Sequence, residues 1–373
     1  MKSLSINSYI KNIKPYKTAS HEIWDVDKDS RSTVLKLDWN EATIPPTDCV
    51  RQRILKLSED AGFFNLYPST ENAELRRLLA EYVRLPESNI QYFASSDSIH
   101  EYIAKLYIKE DARVLIQAPS YDNFRLTAET AGGKIFYSEI DDQFIFHPDR
   151  FERDIEALEI SFVYICNPNN PIGYIHPVEY IETLLIKYPN AVFLIDEAYI
   201  EFSDGSCKDL VKKYNNLLVT RTMSKAFALA NFRFGYLLAS ANNIEAMSVL
   251  RNPKNITTFA QEAAVGVLSD LPYMYAYVEE VRSARQFFFE FLQGYKELVT
   301  ACESKANFLA IKCRSTKLKY DMINHLKMSR IYVRDLTQSP ILQNCLRITI
   351  GTQAQMKKVA EVLKPFFESY DLR

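Results

Sequence analysis

The chain has 373 residues, 47% of them hydrophobic, which is enough for two or three domains with a sizeable core. Its net charge of −2 excludes a general attraction to nucleic acid or to anionic membranes. No apolar run approaches the roughly 20 residues that span a bilayer, no signal-peptide core is visible, and the six cysteines and five histidines form no metal or disulfide pattern. We therefore expect a cytoplasmic enzyme with reduced thiols, without a metal site.

Apolar runs alternate with helix-length segments through the first two thirds of the chain. Helical spacing predicts a helix over residues 71–83 and another over 99–107, capped by Asp97 or Ser98. The runs that predict strands are 113–117, 134–138, 160–166, 191–196, 216–221 and 234–239. This alternation is typical of an α/β fold with a mostly parallel sheet flanked by helices on both faces.

The pattern changes after about Asn252. Amphipathic helices are predicted over 259–268 and 273–295, then strands over 308–313, 331–334 and 345–350, and a closing helix over 353–370. These elements predict a second, smaller α+β domain that the N-terminal segment joins. The predicted units are 1–44 (N-terminal arm and part of the small domain), 45–270 (large domain) and 271–373 (small C-terminal domain).

Lys225 follows the apolar run 217–219, which predicts a buried strand. A lysine in this position is well placed to lose its charge and attack a carbonyl. Thr222, Ser224 and Arg233 add the hydroxyl and guanidinium donors that hold a phosphate ester. The combination describes a pyridoxal phosphate (PLP) site in which the lysine binds the cofactor aldehyde covalently. The alternative is an ordinary strand-to-helix corner with a solvated lysine.

Asp196 follows another buried apolar run, 191–195, and a buried carboxylate needs a cationic partner. A pyridinium nitrogen would be such a partner, whereas a helix N-cap or a structural salt bridge is the alternative. Tyr199 is either a donor to the phenolate oxygen of the cofactor or a core tyrosine. Asn167 begins an Asn-Pro-Asn-Asn-Pro-Ile-Gly turn and is either a second donor or a turn residue.

Three further features fit such a site. Tyr121 follows a predicted strand and is either a stacking ring or a surface aromatic. Ser96 and Asp97 lie at a strand-to-helix junction, where free backbone N–H groups form either a phosphate seat or a plain N-cap. Arg347 lies on an otherwise apolar strand and is expected to pair with a carboxylate of a substrate or of the protein.

The order of these parts resembles that of fold-type I PLP-dependent aminotransferases (class I/II), and most closely the histidinol-phosphate aminotransferases. The resemblance covers about residues 37–366 and rests on the segments Leu66-Tyr67-Pro68, Asn167-Pro168-Asn169-Asn170-Pro171-Ile172-Gly173, Asp196-Glu197-Ala198-Tyr199-Ile200-Glu201-Phe202, Thr222-Met223-Ser224-Lys225-Ala226-Phe227, Ala306-Asn307-Phe308 and Val333-Arg334-Asp335. It implies the PLP-transferase fold, with PLP as cofactor. It also implies amino transfer from glutamate to imidazole acetol phosphate or a similar phosphorylated keto compound.

The resemblance also implies a role for each residue around the cofactor ring. Lys225 would hold PLP and act as general base and acid. Asp196 would pair with the ring nitrogen, and Asn167 and Tyr199 would bind the phenolate oxygen. Tyr121 would stack on the ring.

The cofactor phosphate would be held, by the same resemblance, by the backbone amides of Ser96 and Asp97 together with Thr222, Ser224 and Arg233. Backbone N–H groups at a helix start and a guanidinium are both suited to a dianion.

On the substrate side, the resemblance implies that Arg347 binds the α-carboxylate of the amino donor and that Arg334 binds the phosphate of the second substrate. Asn40, in the segment that lines the substrate pocket, is placed with the substrate-binding residues. Tyr67 would reach into the site of a neighbouring subunit, which implies a homodimer.

Two segments depart from the family pattern. Family members usually carry Asn-Glu-Asn-Pro-Tyr-Gly, whose tyrosine lines the substrate pocket, but this chain reads Asn40-Glu41-Ala42-Thr43-Ile44-Pro45-Pro46. The phosphate-seat turn reads Ser95-Ser96-Asp97-Ser98 instead of Gly-Ser/Ala-Asp-Glu. Because backbone groups hold the phosphate, the cofactor chemistry survives both changes. The substrate stays open, and the alternatives are transamination of another phosphorylated amino acid or amino alcohol, PLP-dependent decarboxylation, or an inactive regulatory protein on the same fold.

Overall fold

A computed structural model gives the fold and describes residue 4 and residues 6–11, 13–15, 23, 26–337 and 340–370. The α-helices within these residues are α1 (Asp48–Ser58), α2 (Ala73–Val83), α3 (Ser96–Tyr107), α4 (Asn123–Thr130), α5 (Pro148–Ala157), α6 (Val178–Lys187), α7 (Ala241–Leu250), α8 (Thr258–Leu268), α9 (Leu271–Gln293), α10 (Thr316–Met328) and α11 (Gln353–Tyr370). The strands are β1 (Leu35–Leu37), β2 (Ile90–Phe93), β3 (Arg113–Ala118), β4 (Lys134–Glu139), β5 (Phe162–Cys166), β6 (Val192–Asp196), β7 (Leu217–Thr222), β8 (Gly235–Ala239), β9 (Val299–Ala301), β10 (Phe308–Cys313), β11 (Ile331–Asp335) and β12 (Cys345–Thr349). Short 3₁₀ helices cover Ser8–Ile10, Lys28–Thr33, Ala61–Asn65, Glu87–Asn89, Ile200–Phe202, Cys207–Lys212, Ala230–Phe232, Pro253–Asn255 and Pro340–Leu342.

The large sheet has seven strands in the order β2-β8-β7-β6-β5-β3-β4. Strand β8 is antiparallel to both of its neighbours, and the pairs from β7 to β4 are parallel. Strands β5 and β7 are buried along their whole length. Strand β5 accordingly reads as a continuous apolar run, whereas β7 begins with the apolar run 217–219 and ends in Thr220, Arg221 and Thr222. The predicted α/β fold with a mostly parallel sheet is confirmed.

The small sheet has five strands in the order β1-β11-β12-β10-β9. The edge strand β1 comes from the N-terminal part of the chain and pairs in parallel with β11, near the C-terminus. Helices α9, α10 and α11 contribute buried apolar residues to the same core cluster as the large sheet. The predicted domain boundaries stay a prediction.

Some predicted ends differ from the structure. Helix α3 begins at Ser96 and its N-cap is Ser95, whose hydroxyl oxygen accepts the N–H of Ser98, so the expected caps Asp97 and Ser98 lie inside the helix. Strands β1, β2 and β9 were missed because runs of three or four residues carry too little periodicity. Within the described residues, no helix is long and apolar enough to cross a bilayer.

Candidate active site

The predicted cofactor residues follow the carboxyl ends of neighbouring parallel strands. Tyr121 follows β3, Asn167 follows β5, Asp196 ends β6, and Lys225 follows β7. Since these strands are adjacent and run in the same direction, their ends meet at one edge of the large sheet. Ligands of open α/β sheets bind at this edge.

Lys225 lies in a buried environment that disfavours its positive charge. Its Nζ donates to the backbone carbonyl of Trp39 at 3.0 Å and lies 5.8 Å from the centre of the Tyr199 ring. Burial lowers the pKa of the amine to about 8, and the positive charge of Arg347 acts in the same direction. A far larger share of the amine is therefore neutral, and able to attack an aldehyde, than for a solvated lysine.

Donors suited to a phosphate lie beside this lysine. The Thr222 hydroxyl donates to Oγ of Ser224 at 2.9 Å, and Nη1 of Arg233 lies 3.4 Å from the same oxygen. The other arm of Arg233 forms a 3.2 Å salt bridge with Asp97. The structure thus brings together the predicted phosphate residues of β7, α3 and the turn before β8.

The N-terminus of α3 approaches β8 closely at Gly235. A Cβ atom on Gly235 would lie 2.5 Å from the backbone nitrogen of Ser96 and 2.7 Å from the carbonyl carbon of Ser95. Only glycine therefore allows this helix start, with its free N–H groups, to sit against the sheet edge. Ser95 itself has φ 89° and ψ 160°, a conformation that favours glycine.

Asp196 is 3% exposed and accepts two hydrogen bonds. The hydroxyl of Tyr164 donates to its Oδ2 at 2.9 Å, and the N–H of Ala198 donates to its Oδ1 at 3.2 Å. Burial raises the pKa of this carboxyl, while nearby His100 and the Tyr164 hydroxyl act against the rise. A buried carboxylate with neutral donors is suited to a cationic ring nitrogen.

Burial raises the pKa of Tyr199, so its phenol stays protonated. Its oxygen accepts a hydrogen bond from the Asn40 amide at 3.1 Å, which leaves its proton for another acceptor. Asn167 is 1% exposed, and its Oδ1 accepts the backbone N–H of His176 at 2.7 Å, so its amide plane is fixed.

Arg347 and Arg334 are directly paired across the antiparallel strands β12 and β11. Residues opposite each other in such a pair lie on the same face of the sheet. The Arg347 guanidinium donates to the Asn170 side chain and, at 2.8 Å, to the backbone carbonyl of Asp38. Two cations on one face form a surface suited to two anionic groups.

The remaining predicted residues lie at the margin of this cluster. The Tyr121 hydroxyl donates to the Asp97 carboxylate at 3.1 Å, which ties the predicted stacking ring to the phosphate residues. Tyr67 is 80% exposed, and its ring lies 4.8 Å from Nζ of Lys254.

Sequence reasoning missed four contributors. Trp39 acts through its carbonyl, which carries no side-chain signal, and Thr349 hydrogen-bonds to Asn40 from 309 residues away. Tyr164 and His100 contact Asp196 from β5 and from the inner face of α3. Tyr164 lies three residues before Asn167 on a strand that ends at the site, and this spacing was a usable signal.

The residues fit PLP as a group. Lys225 supplies a partly neutral amine, Asp196 a buried carboxylate, and Tyr199 a protonated phenol. Hydroxyls, a guanidinium and a helix start held close by Gly235 match a phosphate. The individual roles of these residues stay predictions.

Comparison with known proteins places the chain in a family. The family model described as aminotransferase class I and II matches residues 32–363. The chain is 41% identical to a dihydroxyacetone phosphate transaminase of Campylobacter jejuni, over 97% of each protein. It is 35% identical to a histidinol-phosphate aminotransferase of Ruminiclostridium cellulolyticum, over 86% of this chain and 89% of that protein.

Solved structures give the same fold. The histidinol-phosphate aminotransferase of Sinorhizobium meliloti in complex with pyridoxal 5′-phosphate superposes with a TM-score of 0.84 at 22% identity, over 98% of both chains. The family match over most of the chain confirms the resemblance that the sequence motifs predicted. The chain belongs to the class I and II aminotransferases.

Proposed function

We propose that this protein uses PLP to transfer an amino group from glutamate to a small phosphorylated ketone. The observation that carries the proposal is the pairing of Arg334 with Arg347 on one face of the small sheet. The positive charge of Arg347 also helps to lower the pKa of Lys225. The two cations suit a substrate carboxylate and a substrate phosphate, which alternate in the two half-reactions.

Bound PLP supplies an electron sink for negative charge that develops at the substrate carbon. Lys225, once it is free of the aldehyde, moves the substrate proton as general base and then as acid. A pKa near 8 suits both tasks close to neutral pH. Asp196 would keep the ring nitrogen of PLP positively charged, and Tyr199 would donate a hydrogen bond to the phenolate oxygen of the cofactor.

We propose dihydroxyacetone phosphate as the preferred acceptor, ahead of imidazole acetol phosphate. The relative that is 41% identical is a dihydroxyacetone phosphate transaminase, whereas the 35% identical relative is a histidinol-phosphate aminotransferase. Ile44 stands where histidinol-phosphate aminotransferases usually carry the pocket tyrosine, and its apolar side chain packs against the core. An imidazole ring would lose a polar neighbour there, whereas the smaller dihydroxyacetone phosphate has no ring to place beside Ile44.

The test compares kcat/KM for the two acceptors with glutamate as donor, followed by release of 2-oxoglutarate. We expect the three-carbon acceptor to be used at least tenfold more efficiently. The opposite preference would assign the chain to histidinol phosphate chemistry, and carbon dioxide release without an acceptor would assign it to decarboxylation. The Lys225→Ala variant is the matched inactive control.

Arg334→Gln tests the phosphate assignment separately. Loss of a charge-assisted contact of about 1.5–3 kcal/mol predicts a roughly 10- to 100-fold lower kcat/KM for the phosphorylated acceptor. Unphosphorylated dihydroxyacetone is the control substrate, and its low rate should not change. An equal loss with both ketones would contradict a phosphate contact.

We further propose a homodimer in which Tyr67 completes the site of the partner. Four large apolar side chains lie exposed on or near the segment that carries it: Leu55, Phe64, Leu66 and Tyr67. Clustered exposed apolar groups of this kind mark protein interfaces. A cytoplasmic location is part of the same proposal, and the six free thiols fit it.

Mixed dimers test the shared site. Lys225→Ala subunits should be inactive alone and Tyr67→Ala subunits weakly active alone, because every site then lacks one residue. Hybrids of the two contain one complete site, so activity should return towards a quarter to a half of the wild-type value. Light scattering establishes the dimer independently, and absence of any recovery would place Tyr67 outside the partner site.

A further inference from the structure

Behind Asp196, on the side that packs into the large sheet, lies a buried polar group that the proposed chemistry does not use. His100, on the inner face of α3, is 0% exposed. Its Nε2 lies 3.1 Å from the Thr220 hydroxyl and 4.0 Å from Oδ2 of Asp196. Its Nδ1 has no hydrogen-bond partner among the described residues.

The surrounding rings hold this imidazole in one orientation. Phe124 and Tyr164 stack on each other with centroids 4.3 Å apart, and both meet the His100 ring in a T-shaped arrangement, at interplanar angles of 90° and 80°. Burial of a histidine without a partner on one nitrogen is costly. An effect of His100 on the neighbouring Asp196 carboxylate would explain why the protein carries a buried histidine at this cost.

Thr220 fixes which nitrogen faces Asp196. It lies opposite Asp196 in the parallel pairing of β6 with β7, so its hydroxyl and the carboxylate share one face of the sheet. A proton on Nε2 donates to Thr220 and leaves Nδ1 as a bare acceptor, which costs less than a buried N–H without a partner. This tautomer turns the positive edge of the imidazole toward Oδ2 of Asp196, on the side where Tyr164 also donates.

We propose that His100, together with Tyr164, is a positioning residue that keeps Asp196 ionised and aimed at the ring nitrogen of PLP. The inference rests on the proposed PLP function. Burial alone would favour the neutral carboxyl of Asp196, and in this proposal Tyr164 of β5 and His100 of α3 oppose that effect. The titratable groups facing Asp196 from the packed elements are His100 and Asp97 of α3, Tyr164 and Cys166 of β5, and Tyr199 after β6.

The test measures the PLP dissociation constant of the cofactor-free protein across the pH range, by fluorescence. Wild type, His100→Leu and Tyr164→Phe are compared. We expect each variant to bind PLP about tenfold more weakly at pH 7, with the acid limb of binding shifted to higher pH by about one unit. His100→Gln keeps a donor for Thr220 but lacks the imidazole ring, and should lie between wild type and His100→Leu. His325→Gln, on α10 with its hydrogen bond to the Val362 carbonyl, is the control and should match the wild type.

A PLP analogue with CH in place of the ring nitrogen separates positioning from a structural role. If His100 acts through Asp196, the tenfold difference between the wild type and the variants should disappear with the analogue. An equal loss with PLP and with the analogue would overturn the proposal, as would variants that bind PLP like the wild type. If the wild type itself does not bind PLP, the proposed function falls as well, so the two failures are distinguishable.

Discussion

Replacing Ser95 by glycine is expected to stabilise the protein by about 1 kcal/mol. Ser95 has φ 89° and ψ 160°, a region that costs a non-glycine residue roughly 1–3 kcal/mol. Two terms oppose the gain. Glycine adds freedom to the unfolded chain, worth about 0.4–1 kcal/mol, and loss of the cap that Ser95 offers to Ser98 costs a few tenths when glycine replaces it.

Urea unfolding of wild type, Ser95→Gly and Ser95→Ala measures this balance. The alanine variant keeps the strained conformation and loses the capping oxygen, so it should be less stable than wild type by about 1 kcal/mol. PLP affinity of Ser95→Gly should stay within about twofold, since the phosphate seat is made of backbone N–H groups. A glycine variant no more stable than wild type would refute the strain at this turn.

Three further outcomes follow from the contacts of the site. Gly235→Ala should cost about 1–3 kcal/mol in urea unfolding and weaken PLP binding, because its Cβ would lie 2.5 Å from the Ser96 nitrogen. Folded Lys225 has a pKa near 8 and binds fewer protons than in the unfolded chain, so the free energy of unfolding of the cofactor-free protein should rise between about pH 8 and 10.5. Urea titrations of Lys225→Met should lack that rise, and the rate of covalent PLP binding to wild type should level off above about pH 8. Arg221→Met removes the guanidinium that lies 2.9 Å from the fully buried Glu197 carboxylate. The free energy of unfolding, measured by calorimetry or in urea, should therefore fall by about 3–5 kcal/mol.

The sequence alone predicted the parts of the site that end buried parallel strands. Strand β5 is apolar without interruption, so Asn167 stands out as the first polar residue beyond it, and Lys225 follows the apolar run 217–219 that begins β7. Neighbouring parallel strands also bring their ends together, which makes the order along the chain informative.

Long-range partners could not be predicted in the same way. Asn40 meets Thr349 across 309 residues, and Lys225 meets the Trp39 carbonyl across 186. Nothing local in either segment specifies the other, because the contacts depend on how β1 joins the small sheet. The role of Ser95 as cap was missed for a different reason, since a serine with positive φ contradicts its usual preference.

Asn40 connects the two sheets at the reacting centre. Its amide donates to the Tyr199 hydroxyl, just after β6, at 3.1 Å, its side-chain oxygen accepts from Thr349, and its carbonyl accepts from Asn307, just before β10. Thr349 lies two residues after Arg347 on β12, on the same face of the strand. Arg347 therefore lies on the strand whose Thr349 holds Asn40, and Asn40 in turn contacts Tyr199. The proposed anion-binding residue Arg347 and the proposed proton donor Tyr199 are thus connected through Asn40, which is 1% exposed to solvent.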